Sequence, residues 1–104
     1  MRRQRYPEIG ETLTLTKDPQ NYVFFHSKRE PTVDLCISIG CVFEFNEPLE
    51  YKDDESTRKT TGRRAQLQQE GEFAVLVFTD SAERIRLEDI KAHQGLRTKV
   101  VAHS

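Results

Sequence analysis

The chemistry that this chain could perform depends first on its nucleophiles, and these are few. The two cysteines are Cys36 and Cys41, and the three histidines are His26, His93 and His103. A thiol becomes a useful nucleophile when a base lies within hydrogen-bond reach and a third group orients that base. Neither cysteine has a histidine close to it in the sequence, and the carboxylates cluster in a polar segment where water gives them no acid–base tuning. We therefore expect a protein that is not an enzyme.

The two cysteines also bear on metal binding and on disulfide formation. They lie five residues apart within one apparent strand, so their side chains should point to opposite faces and cannot pair unless the strand is broken. A zinc site needs about four ligands with paired spacing, whereas the histidines are scattered. We expect reduced thiols, no metal, no cofactor and a cytoplasmic location.

Two groups of arginines could bind phosphate. The first lies in a basic N-terminal arm, residues 1–8, and the second closes a long charged segment, residues 46–64. The formal net charge is −1, which argues against non-specific binding to nucleic acid but not against a local basic patch. Nucleic acid is therefore an alternative partner. The candidate phosphate-binding residues are Arg2, Arg3, Arg5, Arg63 and Arg64.

The size and composition of the chain indicate one domain. Its 104 residues are 36% hydrophobic and 32% charged, which suits a modest core under a charge-rich surface. No apolar run approaches the roughly 18 residues that a membrane span needs, and no apolar run follows the basic start, so no secretory signal is expected. We expect residues 9–94 to fold alone, followed by a tail, residues 95–104.

The clearest strand signal is the segment Val33–Phe45, "VDLCISIGCVFEF", in which the odd positions are apolar. This strict alternation is typical of a half-buried strand whose apolar face covers the core. Because the segment is long for one strand, we expect either a bend at Gly40 or two strands joined very tightly.

Four other segments complete the predicted strands. Leu13 and Leu15 alternate with threonines, "YVFF" follows a turn, and "RRAQLQ" is expected to point Ala65 and Leu67 inward. The segment Phe73–Phe78 is apolar on both parities, which is typical of a central strand covered on both faces. Between these segments, residues 46–64 are expected to form a long exposed loop.

Residues 81–93 fit either a helix or a strand. Asp80 followed by Glu83 is similar to a capping box and would begin a helix, but the apolar residues scatter around a helical wheel. A strand would point Ile85 and Leu87 inward, and we favour it, with a single helical turn near Glu88–His93. Residues 99–101 could add an edge strand. The count of five or six short strands predicts an all-β domain, a small antiparallel barrel.

The stretch "AQLQQEGEFAVLVFTDSAERIRLEDI" resembles the end of a Tudor-like or SH3-like barrel. That family shows a strand with an A-x-V core, a strand ending in V-x-F-x-D, and a short strand that runs into D-[LI]. The matching positions are Ala65, Leu67, Val75, Val77, Phe78, Asp80, Ile85, Leu87, Asp89 and Ile90.

The Tudor-like resemblance implies a site as well as a fold. Aromatic side chains at the rim of such a barrel can form a cage that binds methylated lysine or arginine by cation–π attraction. In this chain the cage would use Phe78, Phe73 and Tyr51, with Asp80 as the acidic partner.

A second resemblance gives a different function. "RRQRYPEI" and "ISIGCVFEFNEPL" look like a degenerate PilZ domain, a bacterial barrel that binds cyclic di-GMP through an arginine arm and a [DN]-x-S-x-x-G turn. Cys36 stands where that turn has Asp or Asn, and Cys41 replaces its final glycine. Glu8 falls where an arginine is needed and would repel phosphate. This resemblance implies a protein adaptor that does not bind the nucleotide.

Together the residues favour a binding module that engages a protein or peptide partner through the barrel rim and the charged loop. A nucleic-acid-binding barrel that uses the basic arm and a PilZ-like adaptor stay open as alternatives. No membrane partner is expected, and the sequence does not indicate an oligomeric state.

Overall fold

Short strands with alternating burial make up most of the protein. The computed structural model describes residues 3–91 and 93–103. Its strands are β1 (Gln4–Arg5), β2 (Thr12–Lys17), β3 (Val23–Ser27), β4 (Asp34–Leu35), β5 (Val42–Phe45), β6 (Glu50–Asp53), β7 (Ser56–Lys59), β8 (Arg64–Glu70), β9 (Phe73–Phe78), β10 (Arg84–Arg86) and β11 (His93–Ala102). One 3₁₀ turn, Leu87–Asp89, lies between β10 and β11.

Seven of the described strands form one antiparallel sheet in the order β10–β9–β8–β5–β11–β2–β3. Strands β1 and β4 form a small parallel pair, and β6 and β7 form a separate hairpin. The all-β prediction is therefore confirmed. The sheet is open rather than closed into a barrel, because β10 and β3 are its two edges and do not pair with each other.

One face of the sheet covers the core. Because side chains alternate along a strand, every second residue points inward, and the ring of Phe43 stacks on that of Phe25 with centroids 4.8 Å apart. The fully buried side chains of this cluster include Leu13, Leu15, Phe43, Leu49, Leu76, Ile90 and Val100. The predicted inward positions on β2 and β8 are confirmed by the burial of Leu15 and Leu67.

The longest strand, β11, lies in the middle of the sheet, between β5 and β2. Leu96, Thr98 and Val100 point into the core and are buried. The prediction of a tail over residues 95–104, with residues 99–101 as an edge strand, is therefore wrong for residues 95–102, which belong to this central strand. The hydropathy pattern did not indicate β11 because polar and charged residues fill its outward positions and a threonine occupies one inward position.

The segment Val33–Phe45 contains two strands, β4 and β5, and not one long strand bent at Gly40. Residues 36–41 separate the two strands, so they are not joined tightly either. Gly40 lies in this connection and adopts a φ of 99°, which glycine tolerates without steric cost. The alternation holds in β5, where Phe43 is buried, but fails at Ile39, which is 47% exposed. The break removes Ile39 from the sheet.

Residues 46–64 are more ordered than a long loop. Strands β6 and β7 pair as a hairpin, and Asp54 at its turn has a φ of 56°. At the base of the hairpin the Leu49 amide donates to the Thr60 hydroxyl over 3.0 Å, and the Leu49 side chain is fully buried. The loop prediction is therefore wrong for β6 and β7, whose charges stay exposed while Leu49 anchors them to the core.

The region after β9 is a strand followed by one turn, as predicted, but the turn spans Leu87–Asp89 rather than Glu88–His93, and His93 begins β11. Ile85 of β10 is buried, and the 3₁₀ turn comes directly after it. Lys17 of β2 is also buried, and its ammonium donates to the carbonyl oxygen of Leu87 over 3.2 Å. Burial lowers the pKa of Lys17.

Within residues 3–91 and 93–103, no helix has the length and apolar character that crossing a membrane requires.

The start of the chain is part of the fold. Strand β1 pairs with β4, and the Arg5 guanidinium donates two hydrogen bonds of 2.8 and 2.7 Å to the Glu11 carboxylate. Glu11 also accepts a bond of 2.6 Å from the Ser27 hydroxyl, and its side chain is only 3% exposed. The expectation of a separate basic arm does not hold for residues 4 and 5.

The contacts of Glu11 shift its protonation. The hydrogen bonds from Arg5, together with those from Ser27 and the Glu8 amide, lower the pKa of Glu11 from 4.5 to about 2, although burial opposes the shift. The carboxylate therefore stabilises the fold above pH 4.5, and this contribution is lost as the pH falls toward 2.

We predict that Glu11→Gln lowers the free energy of unfolding at neutral pH by about 3 kcal/mol, because Arg5 loses a buried counter-charge. The variant should also lose less stability than the wild type on acidification. Urea unfolding followed by circular dichroism from neutral pH to pH 2 measures both effects. Wild-type and variant curves that run parallel across this range would contradict the assignment.

Candidate functional site

The aromatic residues predicted at the rim do not share a site. Phe78 is 3% exposed and packs in the core against Phe45, with ring centroids 6.2 Å apart. Phe73 lies at the opposite end of β9, about 17 Å away at the usual rise of a strand. It is 36% exposed, and the Arg86 guanidinium covers its ring at 3.9 Å. The placement of Phe78 at an open rim is therefore wrong.

The other two predicted rim residues are also engaged within the chain. Tyr51 of β6 is partly buried and forms an isolated bridge with Ile90. The Asp80 carboxylate accepts hydrogen bonds from the backbone amides of Arg63 and Arg64, at 2.9 and 3.2 Å. These amides lower the pKa of Asp80. The carboxylate thus fixes the chain before β8.

A second carboxylate, that of Glu83, binds the residues just before Arg63, and we call Asp80 and Glu83 with the amides that they bind the latch. Glu83 accepts hydrogen bonds from the backbone amides of Thr61 and Gly62, each at 2.9 Å. Burial raises the pKa of Glu83, but the hydrogen bonds from Gly62, Ser81 and Thr61 lower it on balance. Four successive amides, residues 61–64, are therefore bound by Asp80 and Glu83, which gives the Thr79–Glu83 turn a structural role.

Most of the arginines proposed to bind phosphate are paired with carboxylates. Arg3 and Arg5 both form ion pairs with Glu30, and Arg64 pairs with Glu44 over 2.8 Å. Arg63 is exposed, and Arg2 lies outside the described residues. The structure thus gives Arg5 a structural partner, and three of the four described arginines of this set are held by carboxylates.

The cysteines are free thiols in different settings. Cys41 is buried and Cys36 partly buried, and burial raises the pKa of the Cys41 thiol. A raised pKa disfavours the thiolate, which is the nucleophilic form.

A site that the sequence reading missed lies on the outward face of β3. Phe24 and His26 of β3 and Tyr22, one residue before this strand, occupy alternate positions, and their rings lie next to one another. Tyr22 is 60% and Phe24 44% exposed. The ring centroids are 6.2 Å apart between Tyr22 and Phe24 and 5.9 Å apart between Phe24 and His26. We call these three residues the aromatic ladder.

Small and cationic side chains lie beside the aromatic ladder on the same face. His26 pairs with Thr14 of β2, and Thr14 pairs with Arg97 of β11, so the three form one row across the sheet. In the next row Thr12 pairs with Lys99. Arg97 and Lys99 are exposed, and neither forms an ion pair with another described residue. Both cations are therefore available to a ligand.

Only small residues lie between Phe24 and β11. Phe24 pairs with Thr16, and beyond Thr16 the register of β11 shifts between His93 and Leu96. Gly95 lies in this bulge, and a Cβ atom placed on it would have no neighbouring atom within 4 Å. A flat molecule placed against the Phe24 ring would meet little obstruction toward β11.

The sequence contains only a weak signal of the ladder. In "NYVFFHS" aromatic residues occur on both parities, so the pattern predicts a strand without indicating which rings face outward. Phe25 points to the core while Phe24 points to solvent. The side of the strand became identifiable only when β2, with Leu15 inward, fixed the register.

Comparison of the chain with protein-family models, with curated proteins and with solved structures finds no match. The function therefore has to be inferred from the side chains of the site.

We predict that Gly62→Ala destabilises the latch by about 1–3 kcal/mol, the usual cost of overpacking. A Cβ atom at Gly62 would lie 2.6 Å from the Ser81 hydroxyl, 2.7 Å from an Asp80 carboxylate oxygen and 2.9 Å from the Phe78 ring. Urea unfolding measures the loss. In an Asp80→Ala background the same substitution should cost less, because one close contact is removed. Equal costs in the two backgrounds would show that the Asp80 contact does not matter.

Proposed function

We propose that the protein binds single-stranded nucleic acid on the outward face of β3, β2 and β11. The observation that carries the proposal is the aromatic ladder, three adjacent rings on one exposed edge of the sheet. Proteins that bind single strands stack successive bases on such rings, because every base has an apolar face. Large aromatic side chains exposed side by side are costly in water, so a contiguous set is a sign of an interaction surface.

The charge distribution on this face supports the same ligand. Lys28 follows the ladder along the chain, and Arg97 and Lys99 lie on β11, across β2 from the rings, so cations are present on two sides of the ladder. Glu44 lies opposite Lys99 on this face, but its carboxylate is paired with Arg64. Five further acidic residues lie in the separate β6–β7 hairpin and the segment before it. A chain with a net charge of −1 can therefore present a locally basic surface to phosphates.

The form of the ligand follows from the use of ring faces. In a duplex the faces of the bases are covered by their neighbours, and only the base edges can be reached in the grooves. A single strand can turn its bases outward to stack on protein rings. The ladder is therefore suited to a short stretch of unpaired DNA or RNA, with about one base for each ring.

A protein or peptide partner at the rim is the rival proposal. It would use Phe73, which is exposed and lies under Arg86, and not the ladder. The two proposals therefore assign binding to different phenylalanines, both partly exposed, at distant positions of the sheet.

We predict that Phe24→Ala weakens binding of a fluorescein-labelled DNA or RNA heptamer by about 5- to 150-fold, the range for the loss of one stacked base. His26→Ala should have a smaller effect in the same direction, because the imidazole ring is smaller. Fluorescence anisotropy at low salt measures the dissociation constants.

Phe73→Ala is the matched control for these variants, since it removes a partly exposed phenylalanine outside the ladder. It should change the affinity for the heptamer less than about twofold. Heptamer binding that survives Phe24→Ala but not Phe73→Ala would overturn the proposed site, and a wild-type protein that binds neither heptamer would overturn the function.

The salt dependence of binding gives a separate prediction. Each phosphate neutralised on a single strand contributes about −0.7 to the slope of log K against log salt concentration, so the cations beside the ladder should give a slope of about −1 to −2. Lys28→Gln should make the slope shallower by about 0.7. Lys52→Gln, at an exposed lysine of the hairpin, is the control and should leave it unchanged. A flat wild-type dependence would exclude phosphate contacts.

A further inference from the structure

The row that joins His26, Thr14 and Arg97 contains an arginine, where a lysine would supply the same charge. Strand β11, which lies beyond β2 from the ladder, presents an arginine at one position and a lysine two residues later. Both cations attract phosphate, but only the guanidinium is a planar fork with several fixed N–H donors. The difference matters if the arginine meets a base and not the backbone of the ligand.

We infer, given the proposed function, that Arg97 gives the site a preference for guanine at the base that stacks on His26. The O6 and N7 atoms of guanine are two acceptors on one edge, and an arginine fork binds both at once. Adenine presents an amino donor in place of O6, so the same fork would meet one acceptor and one repelling donor.

The spacing of the strands allows this contact. Strands β3 and β11 are separated by one strand, β2, so their backbones lie about 10 Å apart at the usual spacing. A purine stacked on His26 extends over β2, and the extended arginine side chain covers the remainder. Thr14, the residue between them, is small enough to leave the path open.

The position of β3 favours an orientation with the base edges toward Arg97. Strand β3 is an edge of the sheet, and Asp34 and Leu35 of β4 lie near Phe24 and His26 on its outer side. The hydrated sugar–phosphate backbone then runs past the end of β3 where Lys28 lies. The base edges then point inward, across Thr14. Since the Arg97 guanidinium forms no hydrogen bond or ion pair with another described residue, its donors are available to the base.

The test compares thymidine heptamers whose central base is guanine, adenine or 7-deazaguanine. Wild-type protein should bind the guanine heptamer about tenfold more tightly than the adenine heptamer, within the discrimination of a bidentate contact. The 7-deazaguanine heptamer, which lacks the N7 acceptor, should lose most of that preference. Fluorescence anisotropy gives all three dissociation constants without any variant.

Arg97→Lys keeps the charge and removes the fork, so it should reduce the preference for guanine over adenine to below about twofold. Equal wild-type affinities for guanine and adenine, or a preference that survives in Arg97→Lys, would overturn the assignment of Arg97 while leaving the proposed function intact. Failure of the wild type to bind any of the heptamers would overturn both.

Discussion

Backbone hydrogen bonding along β11 is the interaction on which the rest of the structure depends. Strands β2 and β3 lie on one side of it, and β5, β8, β9 and β10 lie on the other. Among the described strands no other pairing joins these two groups. Both groups of strands cover the core, so β11 joins strands that are far apart in the sequence. Such distant pairings require costly loop closure and are typical of slowly folding β proteins.

The same arrangement builds the proposed site from two separate parts of the sequence. The rings come from β3, whereas Arg97 and Lys99 come from β11, about seventy residues later. Strand β2 fixes the register between them and adds only threonines to the outward face. The site therefore needs no pocket, since a flat sheet with rings along one edge and cations two strands away is sufficient.

The sequence predicted the strands whose inward positions are all apolar, such as β2 and β5, and missed β11, in which a threonine occupies one inward position. Leu13 and Leu15 indicated β2, and Phe43 and Phe45 indicated β5, because a half-buried strand needs apolar side chains at alternate positions. Strand β11 was missed since Thr98 is buried with its hydroxyl bonded to the Glu44 carbonyl, which a hydropathy pattern cannot indicate.

The candidate site was harder to predict than the fold. Phe78 was proposed at a rim, yet it fills the core, and Phe24 was read only as part of a strand. Ion pairing was equally hidden, because the bond between Arg5 and Glu11 depends on how β1 docks. An aromatic residue and a charged residue each have two possible roles, and only the register of the neighbouring strands decides between them.

The position of the ladder on an edge strand also has consequences for how the protein behaves in concentrated solution. An edge strand that carries exposed aromatic side chains is a template for self-association, and proteins protect such edges with charge. Lys28 and Arg29 at the end of β3 are the charges that this chain provides there. Colloidal stability and ligand binding then both depend on Lys28, so purification at high ionic strength, which screens its charge, would favour aggregation through β3.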